Sequence, residues 1–133
     1  MSSHKILVVE DDKLTLRMLQ AKLQECGYTV AGVSNASDGL SLIQNELPDL
    51  AIIDLNLSKD PVFTGLSDGY GLVRWLSSIK EGVPVIVYTV DKSPEVENKL
   101  KGCDVFEVVR KDEPIENLLE VIAAALQRGA SGD

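Results

Sequence analysis

Residues 49–54 read Asp-Leu-Ala-Ile-Ile-Asp, four apolar residues in a row between two carboxylates. An unbroken apolar run of this length is typical of a strand that is buried on both faces, as in a parallel sheet covered by helices. Four further strand-like runs lie at residues 6–9, 28–33, 83–89 and 105–109, of which 28–33 is the most polar. The sequence therefore predicts five strands, and residues 49–54 form the third.

Segments with apolar residues at helical spacing separate these strands. They cover approximately residues 14–26, 35–47, 69–80, 95–101 and 114–128, and the residues expected to face the sheet include Leu23, Cys26 and Leu47. Strands that alternate with helices predict an α/β domain, and right-handed crossovers restrict it to a doubly wound sheet with helices on both faces. We expect one domain over residues 1–128 and a short flexible tail at 129–133.

The composition bounds the possible partners and location. The chain has 133 residues, enough for one domain with its own core, and a net charge of −8. So acidic a surface argues against direct binding to nucleic acid or to an anionic membrane. No apolar run approaches the roughly 20 residues that cross a bilayer, and the first residues lack the pattern of a signal peptide. We therefore expect a cytoplasmic protein.

Few residues are available for zinc, disulfide or serine-protease chemistry. Cys26 and Cys103 show no CxxC spacing, and we expect both to be buried or half-buried packing residues near the ends of elements. His4 is the only histidine, which excludes a Ser-His-Asp triad and a multi-histidine zinc site. The chemistry must come from other side chains.

Polar residues interrupt the chain where four of the five strands end. Glu10 and Asp11 follow the first strand, Asp54 ends the third, Thr89 ends the fourth and Lys111 follows the fifth. Because the carboxyl ends of parallel strands share one edge, where open α/β proteins bind ligands, we expect these side chains to form one pocket. Taken singly, Thr89 could be an ordinary strand residue, Lys111 a solvated one, and residues 10–12 a helix cap.

Clustered carboxylates repel one another and need a cation to remain ionised together. Hard oxygen ligands of this kind suit Mg2+. A metal beside a carboxylate, an ammonium and a hydroxyl favours phosphoryl transfer, in which a carboxylate can itself be the nucleophile.

The sequence resembles the receiver domains of two-component response regulators, of which the chemotaxis regulator is the minimal example. The resemblance runs from about Lys5 to Arg128. It rests on residues 6–12, 48–55, 68–69 and 85–89, and on Lys111. It implies a flavodoxin-like fold with five parallel strands in the order 2-1-3-4-5.

The resemblance also implies a role for each site residue. Asp54 would be the phosphoacceptor. Asp11 would bind Mg2+ directly, Glu10 through a metal-bound water, and Asn56 through its backbone carbonyl. Thr89 would hydrogen-bond the phosphoryl group and Lys111 would pair with it, whereas Asp12 would cap the first helix. The phosphoryl donor would be a sensor histidine kinase or a phosphotransfer protein.

The output partner would be an unknown downstream effector, and the domain would be a monomer or weak dimer. Self-catalysed phosphotransfer and autodephosphorylation would be its only reactions, so it would not be an enzyme in the usual sense.

Several positions depart from the family pattern. Ser58 stands where a proline is usual, the loop at 57–68 is longer than the norm, Val90 is bulkier than the usual residue, Asp112 replaces a proline, and Val108 occupies the aromatic switch position. These departures support an alternative, a degenerate receiver that binds partners without phosphorylation. A phosphatase of the haloacid-dehalogenase type would need an aspartate where Asn56 stands. An FMN-binding flavodoxin would need a glycine- and hydroxyl-rich loop at residues 10–12.

Overall fold

The computed structural model describes residues 4–55, 57, 69–79, 82–90 and 94–131, with side chains through residue 127. Five strands alternate with five helices along the described chain. They are β1 Lys5–Val9, α1 Lys13–Glu25, β2 Thr29–Val33, α2 Ala36–Asn45, β3 Leu50–Ile53, α3 Gly69–Ser78, β4 Val85–Thr89, α4 Pro94–Lys99, β5 Glu107–Arg110 and α5 Ile115–Ser131. The predicted alternation is confirmed.

The five strands form one parallel sheet in the order β2-β1-β3-β4-β5. This is the doubly wound, flavodoxin-like order that was expected. In the centre of the sheet Val9 pairs with Ile53, and Ile53 pairs with Val87. Because β1, β3 and β4 are aligned at this level, the polar residues that follow them emerge side by side at one edge.

The apolar strands are buried because a helical layer covers each face of the sheet. On one face Ile6, Val8 and Ile52 pack with α1 and α5, and on the other Leu7 and Ile53 pack with α2, α3 and α4. Each fully buried aliphatic side chain contributes about 1.5–3 kcal/mol relative to an exposed one. The side chains of successive strand residues point to opposite faces, so both sets had to be apolar.

Local caps fix where α1 begins and ends. The side chain of Asp12 accepts a hydrogen bond from the backbone N–H of Thr15 at 3.0 Å, which satisfies a donor that the first turn leaves unpaired. Gly27 follows the helix with φ of 95°, a conformation that glycine adopts without strain. The prediction that Asp12 caps this helix is confirmed.

Three expectations from the sequence are corrected. Cys26, expected to be at least half-buried, is exposed at the carboxyl end of α1, and Leu47 is 39% exposed because α2 ends before it. Helix α5 continues through Ser131, so residues 129–131 are helical and not part of a tail. A glycine such as Gly129 weakens a helix by only about 1 kcal/mol and need not end it.

Some of the residues interpreted from the sequence lie outside the ranges that the structure describes. Asn56, Ser58 and most of the long loop at 57–68 lie outside the described residues. Within the described ranges, no helix has both the length and the apolar character needed to cross a membrane.

Candidate functional site

Three carboxylates meet at the carboxyl edge of the sheet. Glu10, Asp11 and Asp54 each offer an oxygen, and these oxygens lie within 4.8 Å of one another. The backbone continues the sheet ladder at both strand ends, since Glu10 donates its N–H to Val33 at 3.0 Å and Asp54 donates its N–H to Val9 at 3.0 Å. The sheet itself therefore sets the position of two of the three carboxylates.

Lys111 lies against two of these carboxylates. Its Nζ is 2.6 Å from Glu10 Oε1 and 3.2 Å from Asp54 Oδ2. Its backbone N–H donates to the carbonyl of Thr89 at 2.8 Å, which ties the end of β5 to the end of β4. Burial would lower the pKa of Lys111, but contact with Glu10 and the charge of Asp54 outweigh it and raise that pKa. The lysine is a firmly charged ammonium.

Glu10 is a buried carboxylate with a raised pKa. It is only 1% exposed, and burial raises its pKa from 4.5 to about 7. The neighbouring Asp54 charge acts in the same direction, while contact with Lys111 and the Asp12 backbone N–H, 3.1 Å from Oε2, act against it. Burial and the Asp54 charge thus outweigh the contact with Lys111, and the protonated form of Glu10 is favoured relative to a free carboxyl group.

The donor set fits a hard divalent cation. The three residues offer only carboxylate oxygens, the ligands that Mg2+ prefers, and a divalent charge would favour the ionised form of Glu10, which burial and the Asp54 charge disfavour. Asn56, expected to add a backbone carbonyl, lies outside the described residues. The residues present therefore fit Mg2+.

Thr89 completes the set of described candidates. It is the last residue of β4, next to β3, and is 1% exposed. Of the residues proposed from sequence, the structure brings Glu10, Asp11, Asp54 and Lys111 into one cluster and places Thr89 on the strand between Asp54 and Lys111.

Gly69 is a site residue whose role the sequence did not explain. A Cβ at this position would lie 2.1 Å from the carbonyl oxygen of Asp54 and 2.8 Å from Cα of Leu55. Only glycine allows the first residue of α3 to approach the backbone of Asp54 so closely. A glycine at the start of a helix, after a long loop, was the available signal.

The sequence model of the response regulator receiver domain family matches residues 6–123. This chain belongs to that family. It is 30% identical over 128 residues to the virulence transcriptional regulatory protein PhoP of Salmonella typhimurium, which covers 95% of this chain and 53% of that protein. The chain thus spans about half the length of the curated relatives it matches.

Solved receiver domains share the fold. A CheY-like receiver domain protein from Methanospirillum hungatei JF-1 has a TM-score of 0.87 and 26% identity, over 99% of this chain and all of that one. The receiver domain of a sensor histidine kinase from Pseudomonas aeruginosa PAO1 has a TM-score of 0.80 and 21% identity, covering 95% of this chain and 99% of that one. That second structure holds a magnesium ion in its active-site cleft.

Family membership makes this chain a receiver domain of two-component response regulators, which is a signalling module. Three departures from the receiver pattern, Val90, Val108 and Asp112, lie on described residues, and none of them belongs to the carboxylate cluster. Val90 is 60% exposed beyond Thr89, and Val108 is half-buried against the layer of α3 and α4. Asp112 binds the guanidinium of Arg110 through both oxygens, at 2.9 and 2.5 Å.

Proposed function

We propose that this receiver domain accepts a phosphoryl group on Asp54 in a Mg2+-dependent reaction, and that the phosphorylated state changes its binding to a downstream partner. The observation that carries the proposal is the contact of Lys111 with both Glu10 and Asp54 inside a cluster of three carboxylates. A charged lysine beside a buried aspartate suits a carboxylate that gains a dianionic group.

Asp54 acts as the nucleophile. One carboxylate oxygen attacks the phosphorus of a phosphohistidine on a sensor kinase or phosphotransfer protein. A new O–P bond forms while the N–P bond breaks, and the histidine nitrogen leaves with the electron pair. The product is an acyl phosphate. Asp54 is only 3% exposed, so the donor must reach it from the open edge of the sheet.

Glu10, Asp11 and Asp54 would hold Mg2+, with the carbonyl of Asn56 as a further ligand. When bound, the ion neutralises charge on the transferred phosphoryl oxygens. Lys111 pairs with one of those oxygens, because its ammonium already lies 3.2 Å from Asp54 Oδ2. The Thr89 hydroxyl donates a hydrogen bond to another.

The signal ends when water attacks the phosphorus and the bond to Asp54 breaks, which releases inorganic phosphate and restores the carboxylate. Asp54 and its neighbours catalyse only these steps on their own phosphoryl group. Movement of Thr89 and Lys111 toward the dianion would change the surface around β4, α4 and β5, which an effector could bind. We also propose a cytoplasmic location and a monomer or weak dimer.

The test is intact-mass spectrometry after incubation with acetyl phosphate and Mg2+. Wild type should gain one labile phosphoryl group, and Asp54→Asn should gain none. Asp49→Asn is the matched control, because Asp49 flanks the amino end of β3, is exposed, and accepts its hydrogen bond from the Lys5 backbone with an oxygen that asparagine keeps.

Two results would overturn the proposal. Gain of the group by Asp54→Asn would place the acceptor elsewhere. No gain by wild type at any Mg2+ concentration would support the phosphorylation-independent receiver instead. That alternative is not favoured, because the carboxylates and Lys111 are all present and close together.

A further inference from the structure

Lys111 reaches its partners across an intervening strand. It follows β5, whereas Asp54 follows β3, and β4 lies between them in the sheet. Neighbouring strands are about 4.8 Å apart, so the ammonium spans roughly two strand spacings to reach Asp54. Whatever side chain β4 presents at this level lies beneath the lysine.

That side chain is Tyr88. Ile53 pairs with Val87, so the next residues along, Asp54 and Tyr88, are neighbours on adjacent strands, and Tyr88 pairs with Val109 on the other side. Tyr88 and Val109 pack in the same layer, against α5. Lys111 comes two residues after Val109, so the alternation of side chains directs it to this face as well.

The ring and the ammonium are close. Lys111 Nζ lies 5.9 Å from the centroid of the Tyr88 ring, within the range of a cation–π contact. Tyr88 is only 4% exposed and packs against α5, so its ring is held in place. The attraction comes from the ring and not from the hydroxyl, because it arises from the electron density on the aromatic face.

We propose that Tyr88 is a positioning residue for Lys111. Its ring lies under the ammonium and keeps it beside Asp54 during transfer of the phosphoryl group. A metal bound to Glu10 and Asp54 would share their charge and weaken their hold on the lysine. The ring does not bind the metal, so its hold persists. This inference rests on the proposed function, because it assigns Tyr88 a part in phosphorylation of Asp54.

The first test compares Tyr88→Phe with Tyr88→Leu. Phenylalanine keeps the ring, and leucine keeps an apolar side chain without it. At saturating Mg2+, phosphorylation by acetyl phosphate should be close to wild type in Tyr88→Phe and about two- to fivefold slower in Tyr88→Leu, the fold-change that corresponds to an ordinary cation–π contact.

The second test separates positioning from core packing. In a Lys111→Met background, Tyr88→Leu should cause no further slowing, because no ammonium remains to be positioned. An equal slowing with or without the lysine would overturn the proposal, since it would mean a general packing defect. Wild-type speed in Tyr88→Leu would overturn it as well.

A third measurement does not depend on phosphorylation. In proton NMR spectra, the Lys111 side-chain methylenes should be shifted upfield by the ring in wild type and Tyr88→Phe, relative to Tyr88→Leu. Coincident shifts in all three would show that the lysine does not lie over the ring. If wild type accepted no phosphoryl group but the shift were present, the proposed function would fail while the placement of Lys111 over Tyr88 stood.

Discussion

The two ends of β3 carry the same residue type in opposite surroundings. At the amino end Asp49 is exposed and accepts a hydrogen bond from the Lys5 backbone at 2.7 Å, and Lys5 Nζ lies 2.8 Å from Glu46. At the carboxyl end Asp54 is buried, and Lys111 Nζ lies 2.6 Å from Glu10.

The two lysine–glutamate pairs have nearly equal distances but different exposure. The side chains of Lys5 and Glu46 are 33% and 72% exposed, whereas those of Lys111 and Glu10 are 17% and 2% exposed. Water screens the first pair, so it contributes at most about 1 kcal/mol. In the second pair burial disfavours the charged carboxylate and raises the pKa of Glu10 to about 7, even though the contact with Lys111 acts in the opposite direction. Exposure, more than residue type or distance, separates a surface ion pair from a chemical site.

The largest expected difference is between the two lysines. Lys111→Met should slow phosphorylation of Asp54 by about 100-fold or more, because it removes the fixed charge that pairs with the incoming phosphoryl oxygens. Lys5→Met should leave the rate unchanged, since that ammonium lies at the opposite end of the sheet. Rates of phosphorylation by acetyl phosphate measure both. Equal rates in the two variants would remove the functional distinction between the two ends.

Next in size is a dependence of stability on pH. The pKa of Glu10 in the folded protein is raised above its ordinary value of 4.5 to about 7, so the folded state binds this proton more tightly than the unfolded state does. Its contribution is fully present below pH 4.5 and is lost as pH rises through about 7, an effect of order 2–3 kcal/mol. Without Mg2+, the melting temperature should therefore fall between pH 5 and 8.

Two variants and the metal sharpen this prediction. Glu10→Gln should reduce the fall in melting temperature between pH 5 and 8, whereas Glu46→Gln, which changes the exposed pair, should retain it. Mg2+ should raise the melting temperature more at pH 8 than at pH 5.5, because it binds the ionised carboxylates. A wild-type melting temperature that rises from pH 5 to 8 in metal-free buffer would contradict the assignment to Glu10.

The smallest expected effect concerns the close approach of α3. Gly69→Ala should destabilise the protein by about 1–3 kcal/mol, because its Cβ would meet the backbone of Asp54 at 2.1 Å. Gly39→Ala is the control: its Cβ would lie 3.1 Å from a Val9 methyl, a side chain that can move, and alanine favours the helix. Chemical denaturation compares the two. A larger loss of stability in Gly39→Ala than in Gly69→Ala would mean that the backbone at Asp54 moves easily to accommodate the added Cβ.

The sequence by itself determined the fold and one edge of the sheet. Unbroken apolar runs such as 49–54 require cover on both faces, and their alternation with helical segments leaves few arrangements. The same reasoning placed Glu10, Asp54, Thr89 and Lys111 at strand ends, because a change from apolar to polar residues is a local signal that needs no tertiary information.

Only the tertiary structure decided which groups are in contact at that edge of the sheet. The reach of Lys111 across β4, the Tyr88 ring beneath it and the approach of Gly69 to Asp54 depend on the register of three strands and on where a helix docks. The same is true of the exposed Cys26 and of the raised pKa of Glu10. Periodicity reports which face a residue occupies, but burial and charge coupling depend on neighbours that are distant in sequence, and folding alone brings them together.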